Sequence, residues 1–549
     1  MTQRDITVND WKHCFPFPRI RPQQEEAINF ILNKFLNENK RYVIAELGTG
    51  TGKSAIAITV SRYLNQVLQL EPDMVAGSYV LTTQKILQDQ YTNDFSSLGS
   101  QLKSLKSAAN YKCQQIPDQT CAESRRILTA HREQLADTDF YKVCTKSCLY
   151  SCDKADFKAA PIGVTNIPYF LAETTYAGKL EPRQLLICDE AHNLETELGK
   201  FVEIVFSEKF ADEILKIRPP KERSQEKVHE WVKKKYEPAV VKAFKELEKI
   251  IGKNVAAAGT FAPELAKKYE ILDKHMCKVH RFLKEYTPQN WILNTSESVK
   301  GKKTIHKYEF KPIDVSVFAE DSLFKFGKNV LLMSATIISR DAYCRSLGLP
   351  TDTPFISIPS PFPVDNRLIH YVPIGKMSMD HIDRTLPKIA GAVLELLDAH
   401  PDQKGLIHCN SFKVANYIRD NVKSSRLLIQ DDKNRDAILK FHQESSEPTV
   451  LVSPSMTEGV DLRDDLSRFQ IFAKIPFPYL GDDVVKKRMA KDEMWYPFAT
   501  IRTMVQAVGR SIRNENDYAS TYILDESFGY FYQKNSGLFP QYFKDALRF

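Results

Sequence analysis

Seven residues, Gly48-Thr49-Gly50-Thr51-Gly52-Lys53-Ser54, constrain this 549-residue chain more than any others. They follow an apolar run, Tyr42-Val43-Ile44-Ala45, and precede Ala55-Ile56-Ala57-Ile58, which continues to Tyr63 and Leu64. Such a pattern predicts a buried strand, a glycine-rich turn and a buried helix. Glycines let backbone N–H groups curl around phosphates, and the helix N-terminus adds partial positive charge. Lys53 would reach the β- and γ-phosphates of ATP, and the Ser54 hydroxyl would bind Mg²⁺. The strict pattern has glycine where Leu47 stands, so an ordinary turn is the bland alternative. Gly52-Lys53-Ser54 directly after a strand argues against it.

A second element strengthens the first. Leu185-Leu186-Ile187-Cys188 ends in Asp189-Glu190-Ala191-His192, which places two carboxylates at the end of an apolar strand. Asp189 would hold Mg²⁺, and Glu190 would polarise the attacking water. Val330-Leu331-Leu332-Met333 and Val450-Leu451-Val452-Ser453 are further short apolar runs of the kind buried on both faces of a helix-covered parallel sheet. Near the C-terminus lies Gln506-Ala507-Val508-Gly509-Arg510-Ser511-Ile512-Arg513. On a helix, Gln506, Arg510 and Arg513 would share a face. Their guanidiniums could then stabilise charge on a transferring phosphoryl group.

Length sets the scale of the rest. At roughly 150 residues per domain the chain holds three to four domains. No run of ~18 apolar residues is present to cross a membrane, and the start, MTQRDITVNDWKHC, lacks the apolar core of a signal peptide. An intracellular, soluble protein is expected, in cytoplasm or nucleoid, or in a nucleus. The net charge of +7 is mild and only permits a polyanionic partner. From about Thr196 to Tyr286 the chain is charged and reads as an inserted helical domain. Val240, Phe244, Leu247 and Ile251 recur there on one helix face behind Pro238. Lys233-Lys234-Lys235 reads as a solvated helix face.

These motifs, in this order, resemble the XPD/DinG group of iron–sulfur helicases in superfamily 2. Asp189-Glu190-Ala191-His192 matches that group's DEAH box, Ser334-Ala335-Thr336 its coupling motif, and Gln506 to Arg513 its QxxGRxxR motif. Glu46 to Ser54 resembles its phosphate loop, including the departure at Leu47. Arg21-Pro22-Gln23-Gln24 resembles the adenine-side element, with Gln24 as the base contact. Leu81 to Gln90 resembles a strand-gripping motif, and Gly405 to Ser411 the start of the second motor. Ser455 to Asp461 resembles the motif touching both DNA and nucleotide, which would bring Glu458, Gly459 and Asp461 to the cleft. The resemblance implies an α/β fold with two RecA-like parallel-sheet motor domains. The first motor would occupy 1–100, 161–195 and 301–345, interrupted by an iron–sulfur domain at 101–160 and a helical arch at 196–300. The second would occupy 346–549.

Five of the ten cysteines, Cys113, Cys121, Cys144, Cys148 and Cys152, fall within forty residues. Without export signals, that clustering suggests metal ligation more than disulfides. A [4Fe–4S] cluster needs four thiolates. The resemblance implies Cys113, Cys121, Cys144 and Cys148, because Cys148-Leu149-Tyr150 and Lys154 fit the register of the family's last ligand. Cys144, Cys148 and Cys152 would line one face of a continuous helix, so Cys152 in place of Cys121 or of Cys144 stays open. Zinc is the chemical alternative. Lys103, Lys106, Lys112, Arg125 and Arg126 are candidates for phosphate contact.

The function expected from this set is an ATP-dependent DNA helicase that moves on single-stranded DNA, 5′→3′ by resemblance, and opens forked duplex, with a monomer plausible. Its cofactors would be ATP, Mg²⁺ and the cluster. Two rivals are a translocase that does not unwind and a binding module with a degenerate ATP site. Lys53, Glu190 and Arg510 argue against the second.

Overall fold

The computed structural model describes residues 8–116, 118–258, 262–300, 303–429, 434–454, 462, 464–512 and 516–549. Glu458, Gly459, Asp461 and Arg513, expected at the nucleotide, lie outside the described residues, as does the whole Ser455-to-Asp461 motif.

The phosphate-loop strand β1 (Tyr42–Leu47) is wholly buried, and its alternate residues supply two different cores. Val43, Ala45 and Leu47 face the helices Pro22–Leu36 and Lys53–Val67, while Tyr42 and Ile44 face the opposite core. Double-sided burial is what the apolar runs predict, because a parallel strand needs cover on both faces. Along the chain follow β2 (Val75–Thr82), β3 (Leu102–Ser104), β4 (Ile162–Asn166) and β5 (Arg183–Cys188). β6 (Ile204–Ser207), β7 (Trp291–Lys300) and β8 (Lys303–Pro312) belong to the second insertion, and β9 (Gly327–Ser334) and β10 (Phe355–Ile358) return to the first motor. The first sheet runs β10-β1-β9-β5-β2-β4-β3, every pair parallel.

The second motor is another seven-stranded parallel sheet. Its strands are β11 (Ile369–Gly375), β12 (Gly405–His408), β13 (Leu427–Ile429), β14 (Val450–Ser453), β15 (Phe469–Phe472), β16 (Ser520–Asp525) and β17 (Leu547–Arg548). They are ordered β13-β14-β12-β15-β16-β11-β17.

Three expected boundaries are corrected. Leu102–Ser104 pairs with β4 as the edge of the first sheet, so the cysteine-rich insertion begins after it and not at 101. The insertion between β5 and β9 is not purely helical. β6, β7 and β8 form an antiparallel sheet within it, so the insertion runs through Pro312 and the segment to that point is not part of the motor. The polar sequence of β7, WILNTSESVK, gives little apolar alternation to read. Phe355–Ile358, assigned from sequence to the second motor, pairs with β1 and closes the first sheet. The helix Glu237–Ala258 does carry Val240, Leu247 and Ile251 inward, and it packs against Pro263–Glu285.

The two insertions share a core. Ile127, Leu128, Leu135 and Cys144 of the first meet Leu247, Ile251, Tyr269 and Leu272 of the second, and Arg126 pairs with Asp273. The first insertion returns to the sheet through the helix Leu149–Ala159, which is the crossover between β3 and β4.

Arg183, 1% exposed at the start of β5, fixes the end of that helix. Its Nη1 donates to the carbonyls of Ser78 and Ala160 at 3.0 Å each, and its Nη2 to those of Phe157 at 3.1 Å and Lys158 at 2.8 Å. The guanidinium also lies 4.3 Å from the Tyr79 ring centroid. A cation at a helix C-terminus satisfies orphan carbonyls and opposes the helix dipole. Arg183→Met should therefore cost about 3 kcal/mol. Differential scanning calorimetry should show the first transition lowered by several degrees; an unchanged trace would contradict this role.

Candidate nucleotide site and cysteine cluster

At the end of β1 the chain turns sharply. Gly50 (φ +88°) and Gly52 (φ +82°) occupy left-handed conformations, and Gly52 caps the helix Lys53–Val67. A Cβ on Gly50 would stand 2.1 Å from the Phe362 ring, so both backbone and space demand glycine there. Thr51 braces the loop internally, its hydroxyl donating to the Gly48 carbonyl at 2.9 Å. Ser360, in the strap leaving β10, donates to the Thr49 carbonyl at 2.8 Å. Arg21 donates through Nη1 to the Gly50 carbonyl at 2.7 Å. Gln24 is buried and accepts from the Arg21 N–H at 3.0 Å, so in this structure its Oε1 serves as a helix cap.

Two strands away, Asp189 follows β5. Its Oδ1 accepts from the Glu190 N–H at 3.0 Å, and its Oδ2 accepts from the Tyr91 hydroxyl at 2.8 Å. Burial and the neighbouring Glu190 raise the Asp189 carboxyl above its ordinary range, while Lys53 and Tyr91 oppose that rise. Glu190 itself sits at φ +54°, a strained conformation for a residue with a side chain, of the kind found at functional positions. Lys53, Ser54, Asp189 and Glu190 thus converge on one volume, as the motifs predict. The protein donors there are a hydroxyl and carboxylates, few in number. That set suits Mg²⁺, which usually takes one or two carboxylates together with nucleotide phosphates.

A hydrogen-bonded path leads from this volume to the second motor. His192 Nδ1 and the Ser334 hydroxyl are 2.6 Å apart, and Ser334 Oγ accepts from the Thr336 N–H at 3.1 Å. The Thr336 hydroxyl in turn accepts from Gln506 Nε2 at 3.1 Å. Burial pushes His192 down to about 4, leaving it neutral; nearby Arg502, Lys53 and Arg510 act in the same direction. A Cβ on Gly509 would come within 3.6 Å of the Thr49 hydroxyl, so the second motor touches the phosphate loop here. The shared face expected for Gln506 and Arg510 needs correction. The helix Trp495–Val508 ends before Arg510, which lies in the following turn.

Sequence reading missed four contributors. Glu46 is buried and accepts from Ile338 N–H at 2.6 Å and Ser357 Oγ at 2.8 Å. The Ser360–Phe362 strap covers the loop, Arg502 donates to the His192 carbonyl at 3.3 Å, and Tyr91 reaches Asp189. Arg502 lies one helical turn before Gln506, a spacing that could have revealed it. An aromatic such as Tyr91 at helical spacing reads as core.

In the first insertion, Cys121 opens the helix Cys121–Ala130 and Cys148 caps the helix Leu149–Ala159, with their sulfurs 3.9 Å apart. Cys121, Cys144 and Cys148 are buried, and Cys113 is half-buried. Burial, reinforced by the nearby Cys113 and Cys148, pushes the Cys144 thiol up to about 12. Cys121 is raised by burial and by Cys148 and Cys144. Buried, neighbouring thiols of which Cys121 and Cys144 resist ionisation unaided match a cationic centre. Two features ease ionisation. Arg125 lowers both thiols, and two helix N-termini point at the group. No set of three His, Cys, Asp or Glu side chains among the described residues is drawn in tightly enough to hold a single metal ion. Cys152 stands apart. The helix Asp139–Lys146 stops before Cys148, so Cys144, Cys148 and Cys152 do not share a continuous helix, and Cys152 is exposed. Of the basic residues expected at phosphates, Lys103, Lys106 and Arg126 are engaged in ion pairs with Asp156, Asp89 and Asp273.

No helix is long and apolar enough to cross a membrane among the described residues. Residues 17–221 match the model for the type III restriction enzyme res subunit, and residues 393–545 match the helicase C-terminal domain. The chain is 27% identical to the ATP-dependent DNA helicase DinG of Photobacterium profundum over 40% of its own length and 34% of that protein's. It therefore spans about a third of that relative. It is 22% identical to a probable ATP-dependent helicase of Methanocaldococcus jannaschii, covering 94% of this chain and 93% of that one. A solved XPD helicase shares the fold at TM-score 0.61 and 16% identity, covering 95% of this chain and 98% of that one. With these two domain models matched in order, DinG among its relatives and the fold shared with XPD, the chain is similar to the XPD/DinG-like superfamily 2 helicases.

Proposed function

We propose that this protein is an ATP-dependent DNA helicase that moves along single-stranded DNA and parts forked duplex. One observation carries the reading: the hydrogen-bonded path from His192 through Ser334 and Thr336 to Gln506, which joins the nucleotide site of one motor to the other. Lys53 and the loop N–H groups would hold the phosphates. Ser54 and Asp189 would hold Mg²⁺, which supplies charge neutralisation when bound. Glu190 would orient water for attack on the γ-phosphorus and take its proton as the bond to ADP breaks. Arg510 would meet charge on the phosphoryl group from the second motor, joined by Arg513. Closure and opening of the cleft would then ratchet one strand past the two insertions, 5′→3′ as the family resemblance implies. Backbone contacts would dominate, giving salt-sensitive and weakly sequence-dependent binding. Cys113, Cys121, Cys144 and Cys148 would hold a [4Fe–4S] cluster that knits the first insertion together.

Lys53→Ala should reduce DNA-stimulated ATP hydrolysis by about 100-fold or more. A variant that hydrolyses ATP normally would refute the site, and a wild type that hydrolyses ATP without opening a 5′-tailed fork would refute the helicase reading.

Asp189 must be a carboxylate to take Mg²⁺, and its raised pKa means it gains a proton at higher pH than an ordinary aspartate. The Mg²⁺ concentration for half-maximal turnover should therefore climb as pH falls toward the raised pKa. Values independent of pH down to about 4, the ordinary aspartate range, would contradict this.

Cys121→Ser and Cys148→Ser should lose iron and acid-labile sulfide and fail to unwind, while Cys152→Ser should keep both. Zinc without sulfide in the purified protein would replace the cluster with a different centre.

A further inference from the structure

Tyr91 lies on the helix Lys85–Asp94, 2% exposed, with its ring tilted against Phe95 at 5.9 Å and its hydroxyl aimed at the nucleotide site. The hydroxyl donates to Asp189 Oδ2 at 2.8 Å. The Ser54 side chain lies beside the phenol. A phenol has one hydrogen to give, and here it goes to Asp189. One buried hydroxyl therefore bonds to one of the two groups that would share Mg²⁺ and neighbours the other.

That arrangement has a directional consequence. With Oδ2 held by Tyr91 and Oδ1 by the Glu190 N–H, the Asp189 carboxylate cannot rotate, yet each oxygen keeps a further lone pair. Outer partners that orient metal ligands in this way commonly set metal affinity.

We propose that Tyr91 is a positioning residue for the divalent cation, holding Asp189 in the geometry that receives Mg²⁺ and thereby setting how tightly the site binds it. This rests on the nucleotide-site reading above. The phenol touches neither phosphate nor attacking water in this role. It acts through the Asp189 side chain it holds.

The test is Tyr91→Phe in the full-length protein, which keeps the ring packing and removes only the hydroxyl. Mn²⁺ binding in the presence of ADP, followed by electron paramagnetic resonance, should weaken about tenfold. ADP binding in EDTA should be unchanged, and the ATPase loss should be recovered by excess Mg²⁺. Mn²⁺ affinity equal to wild type would overturn the proposal, as would an ATPase defect that excess Mg²⁺ does not relieve. Lys53→Ala is measured alongside. If wild type binds no Mn²⁺ with ADP, or Lys53→Ala binds it normally, the nucleotide site itself is misassigned, whatever Tyr91 does. Should Tyr91→Phe fail to fold, a crystal structure of the wild type with Mg²⁺ and ADP decides the matter. Tyr91 still bonded to Asp189 supports the proposal, and a phenol swung away from it overturns it.

Discussion

In an all-parallel sheet every strand delivers its last residue to the same edge. β1, β5 and β9 are near neighbours in the first sheet, so they bring Gly48, Asp189 and Ser334 to one small volume. Three stretches separated by more than a hundred residues thus meet without any long loop reaching for the site. The dry burial of these strands on both faces keeps that edge rigid. It also explains why charged groups there depart from their ordinary ionisation. Asp189 and His192 sit where water is scarce and neighbours are ionic.

The turn after β9 is the point at which this rigidity becomes communication. Ser334 faces His192 and Thr336 faces Gln506, while Ile338 is held by Glu46 of the phosphate-loop strand. Ile338 adopts φ +69°, an awkward conformation for a β-branched residue, so the turn stores strain that its partners must maintain. Lys491 with Asp314, Arg488 with Glu195 and Arg345 with Asp492 extend the contact between the second motor and the other side of the cleft. Asp314 lies just beyond β8, so the second motor is also tied to the base of the second insertion.

Much of this was legible from residues alone, because phosphate chemistry needs particular side chains next to particular backbone shapes. Gly50, Gly52, Lys53 and Asp189 could be read for that reason, and their convergence follows from strand polarity. The five clustered cysteines were legible as a group, whereas the exposure that sets Cys152 apart from the other four was not. What stayed hidden depends on non-local pairing. Leu102–Ser104 is too short to announce itself, and β7 is too polar. Phe355–Ile358 follows the coupling motif in sequence and yet belongs beside β1, a placement that no local pattern encodes. Tyr91 and Glu46 were invisible for a related reason, since each looks like an ordinary helix or strand residue until its partner arrives from elsewhere.

The position of β1 also bears on synthesis. Its two sheet neighbours are β9 and β10, and neither is translated until after both insertions, at residue 327 and beyond. As the chain leaves the ribosome, the phosphate-loop strand therefore exists for most of that time with both of its edges unpaired. Pairings of such long sequence separation form slowly, and unpaired edges invite wrong partners. The insertions, whose helices and antiparallel strands are far more local, can fold while β1 waits. The nucleotide pocket is then among the last parts of the first motor to be completed, which places the nascent chain's greatest need for chaperoning well before the second motor begins.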